Sequence, residues 1–297
     1  MKNIFKDIYR KYSVPEKWVE YRGQDASDII EAGLKSDNPF MVARFGGIEL
    51  DAMIHINKSS KKFTLSRNKK RDIVFASLKS NAGFFPLDDA LLKKFYDLMY
   101  ADLHHVDILG SWRRREIFFK KELREAKKIH FESIEPYRHE KPWSKALKGQ
   151  KVLVVHPFSE SIQEQYLKRD FLFENKDVLP EFKLITLKSV QSIAGNNAGF
   201  TTWFDALDYM KNQVNSLDFD VAIIGCGAYG FPLAAHIKRI GKKAIHMGGA
   251  TQILFGIKGQ RWERNEQIFP LMNNNWVRPK QSETPNNSST IEGGCYW

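Results

Sequence analysis

Residues able to do chemistry gather in this chain where short apolar runs end in glycine turns. Asp220-Val-Ala-Ile-Ile runs into Gly225-Cys-Gly-Ala-Tyr-Gly230, and Gly225, Gly227 and Gly230 let backbone N–H groups reach a ligand that a Cβ would hold off. Tyr229 lies inside the same turn. Lys243-Ala-Ile-His-Met247 runs in the same way into Gly248, Gly249, Ala250, Thr251 and Gln252. A third such turn, Arg44-Phe-Gly-Gly-Ile-Glu-Leu-Asp51, brings Arg44, Gly46, Gly47, Glu49 and Asp51 together after Phe40-Met-Val-Ala43. Glycine turns that open helices at the carboxyl edge of a parallel sheet bind anions, and phosphate leads among them. The plainer reading is that the glycines serve only to make tight turns, and the carboxylates only to offset helix dipoles.

Other strand ends add to this edge. Gly110-Ser-Trp-Arg-Arg-Arg115 sets Trp112 beside Arg113, a pair suited to gripping phosphate or stacking on a base or sugar, or else a solvated helix start. Lys151-Val-Leu-Val-Val155 ends in His156-Pro-Phe-Ser159, with Ser159 placed to cap a helix and His156 at its mouth. Asn81, between two helical segments, and Asn196, within Ser192-Ile-Ala-Gly-Asn-Asn197, complete the candidate binding residues.

Gly-x-Gly-x-x-Gly suggests a dinucleotide, but that fingerprint wants a carboxylate near the end of the next strand to hold the ribose. Here that strand ends His246-Met247-Gly248, so a mononucleotide or nucleotide-sugar phosphate fits better.

The elements needed to position these turns are about seven short strands alternating with helices. That pattern predicts an α/β fold, a Rossmann-like, doubly wound and mostly parallel sheet with helices on both faces. Helices are expected from Asp25 to about Ser36, Met53 to Ile56, Asn68 to Lys79, Leu87 to Tyr100, Ile162 to Lys168, Thr202 to Val214 and Phe231 to Ile240. Short strands are expected at Val106–Leu109 and Lys128–Phe131. Residues 1–24 read as a basic amphipathic helix and lead-in, 25–265 as one catalytic domain, and 266–297 as a polar tail over the surface.

The chain has 297 residues, 46 Lys and Arg against 35 Asp and Glu, and a formal charge of +11, which calls for an anionic partner. Scattered basic residues without a zinc-finger, basic-zipper or RNP-type motif set nucleic acid aside. Cys226 and Cys295 supply neither a disulfide framework nor a zinc spacing. With no apolar run long enough to span a bilayer and no secretory signal, the expectation is a cytoplasmic protein. Ile4, Phe5, Ile8 and Tyr12 share one face of the first helix with Lys2, Lys6, Arg10 and Lys11 around it. That helix either docks on the body or lies peripherally on the inner face of an anionic membrane.

Arg44-Phe-Gly-Gly-Ile-Glu49, Asn81-Ala-Gly-Phe-Phe-Pro86, Glu135-Pro-Tyr137, Val154-Val-His-Pro-Phe158 and Gly248-Gly-Ala-Thr-Gln252 together resemble the bacterial glycosyltransferases of the GT-D fold, over about residues 25–265. The resemblance implies a nucleotide-sugar donor and an Arg-aromatic-Gly-Asp-x-Glu turn whose carboxylates hold a divalent metal. Arg44, Gly46 and Glu49 match that turn, while Gly47 stands where the family has aspartate. Either Glu49 holds Mn²⁺ or Mg²⁺ with diphosphate oxygens and water, or basic residues neutralise the diphosphate without metal. The expected activity is sugar transfer to a hydroxyl on a glycan, lipid-linked or glycoprotein acceptor in surface-polysaccharide or glycoprotein assembly, with Glu49, Asp51 or His156 as base. The rivals are an NAD(P)-dependent oxidoreductase and a non-enzymatic basic scaffold that binds membrane or polysaccharide.

Overall fold

The computed structural model describes residues 13–60, 69–193, 196, 198–285 and 294–297. The amino-terminal helix read at Met1–Tyr12 lies outside them. In chain order, α1 (Gly23–Lys35) leads to β1 (Phe40–Ala43). Then α2 (Gly47–Ser60), α3 (Lys69–Ser80) and α4 (Asp89–Asp102) precede β2 (Ile108–Ser111) and β3 (Lys127–His130). A run of 3-10 turns connects to β4 (Lys151–His156), α5 (Ser159–Tyr166) and β5 (Lys183–Lys188). The chain continues through α6 (Trp203–Asn215), β6 (Val221–Ile224), α7 (Gly230–Arg239), β7 (Lys243–His246), α8 (Thr251–Leu254) and α9 (Gln260–Glu263).

The seven strands form one sheet in the order β3-β2-β1-β7-β6-β4-β5, and every pair is parallel. Apolar runs without alternation become strands covered on both faces. In β4, Val152 and Val154 enter one core while Leu153 and Val155 enter the other, as strand geometry requires of neighbours. Helices α2, α4, α6 and α7 cover one face through Leu50, Met53, Phe95, Leu207 and Leu233. On the other face lie α1, α5 and α8, through Ile30, Ile162 and Ile253. The expected doubly wound sheet is therefore present, with the carboxyl ends of β1, β2, β4, β6 and β7 along one edge.

Boundaries differ from the sequence reading in physically legible ways. Helix α1 starts at Gly23, whose φ of +52° turns the chain into it, so Asp25 sits in the first turn and is not its cap. Helix α4 starts later than Leu87 because Asp88 caps it, accepting N–H bonds from Ala90 (2.9 Å) and Leu91 (3.0 Å). Helix α2 is far longer than Met53–Ile56, and the helix expected after Arg115 is a 3-10 turn, Arg114–Phe119.

Residues 266–297 were read as extended over the surface, yet Ile268, Trp276, Glu283 and Cys295 are buried. The Trp276 indole donates to the Leu172 carbonyl (3.1 Å), and Ile257 bridges to Val277. A few apolar side chains in a polar segment suffice to fold it back, because each large one gains about 1.5–3 kcal/mol on burial.

Candidate functional site

Two adjoining compartments, of about 270 and 130 Å³, open at the carboxyl edge of the sheet. They share Asn81, Ala82, Gly227, Ala228, Gly249 and Tyr296 as their common wall. The first is built on the turns after β1, β2 and β7 and carries Arg44, Arg113, Arg261 and Glu49. The second lies over β4 and β6, with His156, Phe158, Ser192, Ile193, Cys226 and Trp297 in its lining, and is mostly apolar.

Residue alternation at the end of β1 explains the first compartment. Phe45 turns inward and stacks on Phe231 at 5.2 Å, while Arg44 turns to the cleft, its guanidinium 5.5 Å from the Trp112 ring centre and 5.3 Å from that of Phe131. The Trp112 indole N–H holds the Phe45 carbonyl at 3.0 Å, locking the β1 and β2 turns together. Burial lowers the Arg44 pKa, opposed by the charges of Glu135, Tyr296 and Glu49. Arginine keeps its charge regardless, so the cleft holds a buried guanidinium.

The glycine pair after Arg44 is occupied from both sides. The Glu49 carboxylate folds back over Gly46, where a side chain would collide with it. A Cβ on Gly47 would stand 2.6 Å from a terminal nitrogen of Arg113. Arg113 is aimed by its own backbone, whose N–H donates to Glu116 Oε1 at 2.9 Å, and by the Trp112 ring 4.6 Å from its guanidinium. Glu116 is fully buried, and burial raises its pKa.

The remaining glycines divide by role. Gly227 has φ +57° and open space where its Cβ would be, which makes it the backbone that a cleft ligand can approach. Gly225 instead is packed tight, its Cβ position 2.6 Å from the His156 ring and from Thr251 Oγ1. Gly248 lies near Arg44 in the first compartment, and Gly249 lies beneath the Tyr296 ring.

Several candidates take other parts. His156 lines the second compartment, but burial drops its pKa to about 3 and Nδ1 accepts the Phe158 N–H at 3.0 Å. A ring so hard to protonate is a poor general base at neutral pH. Asp51 lines neither compartment and pairs with Arg115 at 2.5 Å. Two positions along a helix from Glu49 it is turned well away from Glu49's face. Ser159 is the first residue of α5 but makes no cap, and Asn196 lines neither compartment and donates to the Gln191 carbonyl. Tyr229 is held flat on Trp203 (4.8 Å), with its hydroxyl on Ser192 (2.6 Å). Thr251 is wholly buried against Gly225, and Gln252 uses its amide on the carbonyls of Ile257, Lys258 and Tyr296.

The anion site expected at the start of α5 is filled from within the chain. Glu283 accepts the N–H groups of Glu160 (2.7 Å) and Ser161 (3.2 Å) and the Ser161 hydroxyl. Sequence reading missed that carboxylate, and with it Arg261, Tyr296, Trp297 and His246 in the cleft lining. Arg261 stacks on Tyr296 at 4.9 Å and donates to its hydroxyl at 3.1 Å. The signal was present in Cys295-Tyr-Trp297, an apolar group closing a polar stretch. His246 stays neutral, because burial drops its pKa to about 3.

A divalent metal finds little here. Glu49 is the one carboxylate among the residues lining the first compartment, and among the described residues no group of three or more His, Cys, Asp or Glu could hold a metal ion. With Arg44, Arg113 and Arg261 as the other charged groups in that lining, the residues present do not fit a protein-held Mn²⁺ or Mg²⁺.

No family model and no curated protein matches the chain. Among solved structures it is similar to a domain of unknown function 1792, with 12% identity and a TM-score of 0.41 over 77% of this chain and 78% of that one. It is also similar to a glycosyltransferase of the same domain type from Streptococcus sanguinis, with 11% identity and a TM-score of 0.37 over 85% and 94%. Likenesses this distant decide neither activity nor ligand. No helix among the described residues is long and apolar enough to cross a membrane.

Proposed function

We propose that the protein is a glycosyltransferase that moves a sugar from a nucleoside diphosphate to a hydroxyl acceptor. The observation that carries this reading is the gathering of Arg44, Arg113 and Glu49 around the Gly46-Gly47 and Gly248 turns, in a cationic compartment that continues into an apolar one. A nucleotide sugar has the same division, a doubly charged diphosphate joined to a flat base. Trp297 lines the apolar part, where a base would stack, and is backed by the buried Phe158 ring.

In the reaction the acceptor oxygen attacks the anomeric carbon as its proton passes to the Glu49 carboxylate. The bond from the anomeric carbon to the phosphate oxygen breaks, and its electron pair leaves with the diphosphate. Arg44 and the N–H groups of the glycine turns stabilise that developing charge. A glycan, lipid-linked or glycoprotein hydroxyl is the acceptor class we propose, in surface-polysaccharide or glycoprotein assembly.

Thermal melting with nucleoside diphosphates, nucleotide sugars and NAD(P) tests the donor. A ligand at 100 times its Kd adds about 2.7 kcal/mol, and the expected result is stabilisation by one nucleoside diphosphate series and none by NAD(P). A larger shift with NAD(P) would replace this reading with an oxidoreductase.

A further inference from the structure

We propose that Arg113, together with Arg44, supplies the positive charge that neutralises the leaving diphosphate, so that nucleotide binding and sugar transfer require no divalent metal. This rests on the nucleotide-sugar reading above and assigns the charge chemistry of the same site.

Arg113 reaches the Gly46-Gly47 turn from the end of β2, with its guanidinium lying against Gly47. Its nearest nitrogen stands 2.6 Å from the position of a Gly47 Cβ, so any longer side chain at residue 47 would have to displace it. The space beside the turn is therefore already filled by the Arg113 guanidinium. Before any ligand arrives the guanidinium lies on the Trp112 face, and the backbone that carries it is anchored by its N–H bond to Glu116 Oε1. Arg44 lies 5.5 Å from the Trp112 ring centre and 5.3 Å from that of Phe131, and Arg261 completes the compartment. Planar guanidinium forks match phosphate oxygens two at a time, which a point charge does not.

A divalent ion entering this compartment would find one carboxylate, Glu49, and the repulsion of the guanidinium groups around it. The pyrophosphate of a nucleotide meets the opposite balance, with Arg44, Arg113 and Arg261 set against that one carboxylate. Charge supplied by arginine is also permanent, and holds at any pH at which the fold survives.

The experiment is isothermal titration of the intact protein with UDP, GDP, CDP, ADP and dTDP, each with EDTA and each with Mn²⁺. We expect one of them to bind with the same affinity in both buffers. Arg113→Met, which keeps an apolar stem on Trp112, should weaken that binding about 10- to 100-fold, the worth of one bond to a charged group. Arg113→Lys should recover part of the loss. Melting temperature is followed on each variant, and Arg113→Lys alone carries the comparison if Arg113→Met does not fold. Binding seen only with Mn²⁺ overturns the proposal and leaves the glycosyltransferase reading standing. Unchanged affinity in Arg113→Met, or in a folded Arg113→Lys where that variant carries the comparison alone, does the same. Binding of none of the five in either buffer removes the nucleotide reading and this proposal with it.

Discussion

Glu49→Gln separates a catalytic carboxylate from a structural one. Glu49 is the third residue of α2, buried, and folded over Gly46 at the helix start. The substitution keeps the size and shape of the side chain and removes its charge and its capacity to take a proton. If Glu49 only offsets the helix dipole, its charge is worth about 0.3–1 kcal/mol. For a chain of this size that lowers the melting temperature by no more than about 2–4 °C. As the base for the acceptor hydroxyl, its loss should slow turnover at least about 100-fold. Both quantities are read on one preparation, melting by calorimetry and turnover by release of nucleoside diphosphate from whichever nucleotide sugar stabilises the protein. The expected outcome is a small melting shift with a large loss of rate. Turnover within about threefold of the unaltered protein, well inside what one general base supplies, would remove Glu49 from the mechanism.

Gly47→Asp sets a carboxylate against Arg113, so metal-free nucleoside diphosphate binding should fall at least about tenfold. Mn²⁺ should then restore part of it through the new carboxylate and Glu49, as titration with and without EDTA will show. Indifference to the substitution in both buffers would mean that Arg113 does not face the ligand. Glu283→Gln removes the charge that caps α5 and should cost about 1–2 kcal/mol in urea unfolding, with faster proteolysis of residues 266–285. Acid should destabilise the fold. His156 and His246 are held near pKa 3 against 6.5 in the ordinary range, so the unfolded chain binds more protons and stability falls as pH drops from about 6.5 toward 3. Asp102, raised to about 6 by burial beside Arg239, works in the opposite direction between that value and its ordinary 3.8. His156→Asn with His246→Asn should flatten the acid limb of a melting-temperature profile measured from pH 7 to 4.

Runs such as Lys151-Val-Leu-Val-Val155 declared their strands because burial on both faces leaves no polar alternation to confuse them with. Glycine turns at their ends were equally legible, since a strand that must become a helix within a few residues advertises it in composition. Phase was harder. Glu49 and Asp51 look equivalent in a line of letters, and only the helix rotation between them sends one to the cleft and the other to Arg115. Partners distant in sequence were not legible at all. Nothing near Ser159 announces that Glu283 will satisfy the N–H groups of α5, and nothing near Gly249 announces the Tyr296 ring above it. Nor does a histidine at a strand end reveal that burial will hold it neutral, because desolvation belongs to the packed structure.

Strand β7, between β1 and β6, sets the order in which this chain can assemble. Phe40 pairs with Lys243, and the Lys243 ammonium reaches back to the Leu34 carbonyl, 209 positions earlier. During synthesis β1, β2 and β3 therefore wait with one side of β1 unpaired until most of the described chain has emerged. Closing so long a loop is slow, and the waiting edge is an apolar strand of the kind that pairs with other chains. Production of this protein should therefore depend on what shields that edge in the interval, and a chain cut short before β7 should aggregate where the whole one folds.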